Sequence, residues 1–395
     1  MDNKVNVTAE WPAARQAFLF DGGEDAHQAR PAPFFRPSQI VLTKGANTTP
    51  GRRKLAERIC GAYPEAEVVE AFDIPHNRVR LGESDQLKLH LRGKKTLVLG
   101  EHRTAVRRSE ETGNTCPNYW HFSPYGFCPY GCDYCYLAAT QGVRFSPTVK
   151  VFLNLPEMLD QIDRVATRIG RPVAFYLGKL QDGLALDPLT GYSRRLVSFF
   201  ADHRYARMTL LTKSANVENL LGLDHRGRSI LSWTVNPPEI TGRFERNTPP
   251  VADRVAAMRR CAEAGYPVRA VVMPIVPVPD WQAVYRTFLR SLLERVDLSR
   301  ITLGSICSYP QTVRLMELKL GRHNAISHNL DGSHRKCTDG RARFPHELRE
   351  RIYRFLIGTI RQACPRLDIG LCLESASMFD ALDMRSSVGR CNCVL

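Results

Sequence analysis

Phe127-Cys128-Pro129-Tyr130-Gly131-Cys132-Asp133-Tyr134-Cys135-Tyr136-Leu137 decides how the rest of this chain is read. Three cysteines fall within these eleven residues, with three residues between the first two and two between the last two. Thiolates this close can wrap one corner of an iron–sulfur cluster, because cysteine sulfur is the soft ligand such clusters need. Four cysteines would coordinate every iron of a four-iron cluster and make an electron-transfer centre. Three leave one iron open to a substrate or cofactor. The other reading of the spacing is a zinc knuckle that lacks its fourth ligand.

Downstream of the loop, short β-rich runs alternate with amphipathic helices. Residues 149–155, 173–178, 207–213, 230–236, 268–276 and 300–306 read as strands, and 156–170, 192–203, 215–223, 250–265 and 281–296 as helices. Gly265 closes one of these helices, where glycine takes a left-handed cap at no steric cost. The alternation predicts an α/β fold with a parallel sheet and helical crossovers. About six such units point to a partial (β/α)6 barrel of the TIM type rather than a doubly wound sheet. Functional groups of such barrels sit at strand C-terminal ends, where Gly178, Lys213 and Asn236 fall.

Upstream, residues 1–35 show no sustained period and run into the proline-rich RPAPFFRP, which predicts a flexible arm. Residues 36–110 read as a small α/β lead-in of strand, helix and strand. It ends in a ribbon, 88–108, with nine Lys, Arg and His residues. The barrel core is expected over 111–310. The extension 311–395 holds a helix over 312–321, a turn-rich stretch, a second helix over 345–363 and a last strand over 366–375. Between Arg322 and Arg361 nine Lys/Arg face four Asp/Glu, with Phe344 and Tyr353 interleaved. That combination makes Arg335, Lys336, Arg341 and Arg343 candidate nucleic-acid contacts.

Composition sets the wider limits. The chain has 395 residues, 43% hydrophobic and 24% charged, the balance of a soluble globular protein. No uncharged apolar run reaches the ~18 residues of a membrane span, and the N-terminus lacks a signal-peptide pattern. A cytoplasmic location is therefore expected. Twelve cysteines in such a chain do not read as a disulfide framework. Outside the loop most read as ordinary buried small residues. Cys391 and Cys393, with Cys337 or Cys372, form a candidate set for a second metal. A net charge of +15 suits a polyanionic partner, nucleic acid first.

At the cysteine loop and the β/α units behind it, the chain resembles the radical S-adenosylmethionine (SAM) enzymes. From about Gln39 to the C-terminus it is similar to the spore photoproduct lyase family. The loop with Tyr136-Leu137, LLTKSANVENLL, NTPPVADRVAAMRRCAEAGYPV, FPHELRERI and LCLES all carry this likeness. The resemblance implies a [4Fe-4S] cluster on Cys128, Cys132 and Cys135, with SAM at the open iron. Reduction would cleave SAM to a 5′-deoxyadenosyl radical that reverses a thymine adduct in DNA, 5-thyminyl-5,6-dihydrothymine. It also implies Lys213, Thr234, Gln181 and Asn236 as SAM-binding positions, and Tyr134 and Tyr136 as parts of the hydrogen-transfer chain. The implied partners are damaged DNA and an electron donor such as flavodoxin or ferredoxin.

Two neighbouring positions depart from the family pattern. The family's hydrogen-donor cysteine aligns with Lys179, and its SAM-contacting serine with Gln181. Lysine has no weak bond from which a carbon radical can take hydrogen, whereas a thiol does. Cys337, in RKCTDGRAR, is a candidate replacement. Two alternatives stand beside the repair reading: a radical SAM enzyme for another nucleotide, RNA or a small metabolite, and a non-catalytic nucleic-acid-binding protein with a structural metal.

Overall fold

The computed structural model describes residues 27–140, 143, 145–330 and 339–395. Its larger sheet contains seven parallel strands that follow one another in chain order. They are Tyr119–Phe122, Val173–Leu177, Ala206–Thr212, Ser229–Thr234, Val268–Ile275, Arg300–Ser305 and Asp368–Leu371. Val106–Ser109 adds an antiparallel edge beside Tyr119–Phe122. Strand order never reverses among the parallel members, as a barrel requires and a doubly wound sheet does not. The first six form the partial barrel, and Asp368–Leu371 extends it from the C-terminal region.

These strands are apolar on both faces because helices pack outside and side chains fill the interior. Leu155–Ile169 shows how the cover forms. It buries Leu155, Met158, Leu159, Ile162 and Ala166, a stripe at helical spacing, and stops at Gly170 in the left-handed conformation. One continuous core joins the barrel to its helices.

Two expectations are corrected here. Residues 149–155 do contain a strand, Val149–Phe152, but it pairs with Thr96–Gly100 and leaves the barrel. Tyr119–Phe122 takes the first barrel position instead. Residues 215–223 form turns rather than a helix. Local polar groups capture the backbone there: the Asn216 N–H donates to Ser214 Oγ (3.0 Å), and Asn219 Nδ2 donates to Asp187 (2.7 Å).

The smaller sheet runs Glu67–Ala71, Gln39–Thr43, Thr96–Gly100, Val149–Phe152, Tyr125–Gly126. The cysteine loop therefore leaves the barrel at Phe122, touches the small sheet at Tyr125–Gly126, and returns over the barrel mouth. Among the described residues no helix is long and apolar enough to cross a membrane.

Candidate active site at the cysteine loop

Three attachments hold the loop. Tyr125–Gly126 pairs antiparallel with Val149–Phe152. Gly131–Cys132 pairs antiparallel with Glu245–Arg246, and the Asp133 N–H donates to Phe244 O at 2.9 Å. At the loop's start, Lys94 donates to Cys128 O and lies 3.6 Å from the centre of the Phe127 ring. Phe127 has a φ of +58°, which turns the chain sharply into Cys128.

Beneath the loop is a cavity of about 300 Å³ lined by Cys128, Cys132 and Cys135 and by strand C-terminal ends. Burial pushes the Cys128 thiol upward and Cys132 up to about 12, although Lys94 and Lys213 beside them pull the other way. Lys319 stands near Cys132 and Cys135. Burial thus favours neutral thiols at Cys128 and Cys132 in the metal-free state, and metal binding would displace their protons.

The donor set fits a multi-iron cluster. The three sulfurs lie within electrostatic reach of one another, and three lysines face the negative charge a thiolate cluster would carry. Among the described residues no three Cys, His, Asp or Glu side chains are gathered as ligands of a single ion. The irons of a cluster are spread over its corners, so its thiolates need not meet at one point.

The expected SAM positions do not all share this cavity. Lys213, Thr234 and Gln181 line it, whereas Asn236 does not. Asn236 is fully buried, donating to Pro274 O (3.1 Å) and accepting from the Tyr285 hydroxyl (3.3 Å). Gln181 donates to Phe122 O at 3.0 Å, and its buried carbonyl oxygen has no partner among the described residues. Asp182 orients the strand end that carries Lys213. It accepts from the Lys213 N–H (2.7 Å) and from Thr212 Oγ1 (2.6 Å).

Tyr134 is buried and donates to Glu245, with Lys213 above its ring at 5.9 Å. Arg254 pairs with Glu245 at 2.6 Å, and both side chains are wholly buried. Burial alone would raise the Glu245 carboxyl, but Lys213, Arg254 and the Tyr134 hydroxyl outweigh it and hold it below its ordinary value. Tyr136, by contrast, is 41% exposed and donates to Lys179 O at the cavity wall.

Lys179 is locked in an ion network. Its ammonium contacts Ser109 and donates to Glu111 at 3.2 Å, and Glu111 also accepts from Arg341 at 2.7 Å. Arg343 is paired with Asp339. Both arginines are therefore matched with carboxylates rather than free for phosphate. Arg335, Lys336 and Cys337 lie outside the described residues. Glu111, Asp182, Glu245 and Arg254 escaped the sequence reading, because none sits in a spaced motif. The acid after the 173–178 strand and the Glu-Arg pair after the 230–236 strand were the available signals.

The sequence model of spore photoproduct lyase matches residues 35–307. A spore photoproduct lyase of Geobacillus sp. is 30% identical over 67% of this chain and 77% of its own length. That of Bacillus subtilis is 29% identical over 55% of this chain, and the match spans 62% of the relative. Among solved structures, a spore photoproduct lyase complexed with dinucleoside spore photoproduct superposes with a TM-score of 0.73 at 23% identity. That match covers 85% of this chain and 98% of the other. A mutant with bound AdoMet and the same dinucleoside superposes equally well. The chain belongs to the spore photoproduct lyase family.

Proposed function

We propose that this protein is a radical SAM lyase that reverses a thymine-dimer type lesion, 5-thyminyl-5,6-dihydrothymine, in DNA. The observation that carries the reading is one cavity holding the Cys128, Cys132 and Cys135 thiols, Lys213 and Thr234 together. When bound, a reduced four-iron cluster with an open iron supplies the electron that cleaves SAM to a 5′-deoxyadenosyl radical. Lys213 offers a charge-assisted contact for the SAM carboxylate. Thr234 and Gln181 offer polar groups on the same wall, and the buried Gln181 carbonyl oxygen suits a ligand donor. Asn236 would act from behind this wall, through Pro274.

The two tyrosines take different parts. Tyr134, tied to Glu245, positions the loop. Tyr136, exposed at the cavity wall, is the better placed for hydrogen transfer. The 111–310 core would carry the chemistry, and Arg335 and Lys336 of the 311–395 extension would help to hold DNA, whereas Arg341 and Arg343 are paired with Glu111 and Asp339. An external one-electron donor of the flavodoxin or ferredoxin kind and a cytoplasmic setting complete the reading.

Anaerobic incubation of the reconstituted protein with SAM, dithionite and a dinucleotide adduct tests it. Formation of thymidylyl-thymidine is the expected result. Lys179 favours one second reading, in which the same radical chemistry serves another nucleotide, RNA or a small metabolite. That position is filled by an ion-paired ammonium instead of a thiol. Formation of 5′-deoxyadenosine without adduct reversal would select it. If no cluster forms and no SAM is cleaved, a nucleic-acid-binding protein with a structural metal is left.

A further inference from the structure

The wall of the cavity away from the loop is also made of cysteine. Cys116 precedes the first barrel strand, Cys372 follows Asp368–Leu371, and Cys391 and Cys393 belong to the C-terminal tail. All four line the cavity. Every pairing among them lies within electrostatic reach: 116–372, 116–391, 116–393, 372–391, 372–393 and 391–393. Cys307 lines the cavity too, but it faces Arg341, Arg343 and Asp339 and lies beside Cys372.

The tail is held so that these sulfurs stay in place. Arg300 donates to Cys391 O (2.8 Å), Arg269 to Val394 O (2.6 Å) and Thr209 Oγ1 to Cys393 O (3.4 Å). Arg300 and Arg269 stand at the N-terminal ends of their strands, so the tail is anchored at the barrel end opposite the cysteine loop. It passes against Gly370, where a Cβ would meet Arg390 O at 2.1 Å.

A second feature points to a ligand. Asn392, between the two tail cysteines, is 5% exposed and lines the cavity, yet neither of its amide atoms has a partner among the described residues. The buried Thr302 hydroxyl on the same cavity also lacks one among those residues. Buried polar groups are normally satisfied, so unpartnered donors among clustered thiols call for a bound group with sulfur acceptors. Hydrogen bonds to cluster sulfur are a usual part of an iron–sulfur site.

We propose that Cys116, Cys372, Cys391 and Cys393 bind a second iron–sulfur cluster, with Asn392 donating to its sulfur. Four thiolates would saturate it, so this centre transfers electrons, whereas the three-cysteine site keeps an open iron. A mononuclear zinc site is disfavoured, because no three such ligands among the described residues are gathered around one point.

Iron and acid-labile sulfide per chain, measured after anaerobic reconstitution, test the assignment. The wild type should hold about eight of each, two four-iron clusters. The triple variant Cys128→Ala/Cys132→Ala/Cys135→Ala should keep half the iron, half the sulfide and a visible charge-transfer band. Adding Cys391→Ala and Cys393→Ala to that triple variant should remove the rest. A triple variant with neither iron nor sulfide, or with zinc and no sulfide, would overturn the proposal. Because this readout needs no SAM cleavage, a wild type whose iron is all lost in the triple variant would sink the second cluster and leave the radical SAM reading intact.

Discussion

At the residue scale, Lys213→Ala and Cys132→Ala should separate cofactor binding from cluster assembly. Lys213→Ala removes a charge-assisted donor worth about 1.5–3 kcal/mol, so SAM affinity should fall on the order of 10- to 100-fold. Cluster absorbance should persist, since no cysteine is touched. Equilibrium binding of SAM to the reconstituted variant checks this, and unchanged affinity would remove Lys213 from the SAM site. Cys132→Ala should instead abolish both cluster assembly on the loop and 5′-deoxyadenosine formation. Lys179 shows how much one residue can redirect. Its ammonium is part of the network that joins Ser109 and Glu111 to Arg341, so it seals the cavity wall where a thiol is expected.

At the scale of elements, the cysteine loop depends on a buried ion cluster that follows the fourth barrel strand. Glu245→Gln would leave Arg254 buried without its counter-charge, at a cost of about 3–5 kcal/mol. A lowered thermal midpoint and slower cluster assembly are the expected readouts. The pH dependence follows from the same group. Because the Glu245 carboxyl is held below its ordinary value in the folded state, its contribution is fully present above the unfolded-state pKa. It is lost as pH falls through the lower folded-state value. Urea midpoints measured from neutral pH downward should therefore decline less steeply in Glu245→Gln than in the wild type. Gly370→Ala would drive a methyl group into the tail at Arg390 O, costing about 1–3 kcal/mol and loosening Cys391 and Cys393.

These elements also show what the chain discloses in advance. The three loop cysteines and Lys213 stand out in the sequence because a spaced motif and a strand-end position mark them, whereas Thr234 is reached only through the family resemblance. Glu245, Arg254 and Asp182 were not, because their roles arise from tertiary pairing between segments far apart in sequence. The Cys391/Cys393 pair was visible as a pair. Its convergence with Cys116 depends on the tail folding back to the first barrel strand. Residues 215–223 misled because a run with helical composition carries Ser214, Asn216 and Asn219, whose side chains make turns instead.

For the whole molecule, the barrel was readable from alternation alone, while membership of the first strand was not. Tyr119–Phe122 is four residues long and mixed in character, and Val149–Phe152 is the stronger strand former but belongs to the smaller sheet. The +15 surplus acts at this scale too. Duplex affinity should drop about tenfold or more between roughly 50 and 200 mM salt if several phosphates are contacted. A flat salt dependence would argue against DNA as the partner. Arg341 and Arg343 already face Glu111 and Asp339, so replacing them should disturb stability more than the salt slope.

The central claim is that three cysteines present an open iron to SAM inside this barrel. Its most direct test is 5′-deoxyadenosine formation by the anaerobically reconstituted protein given SAM and dithionite. Product is expected from the wild type and none from Cys132→Ala. A wild type with the loop cluster shown to be filled that forms no 5′-deoxyadenosine would contradict it.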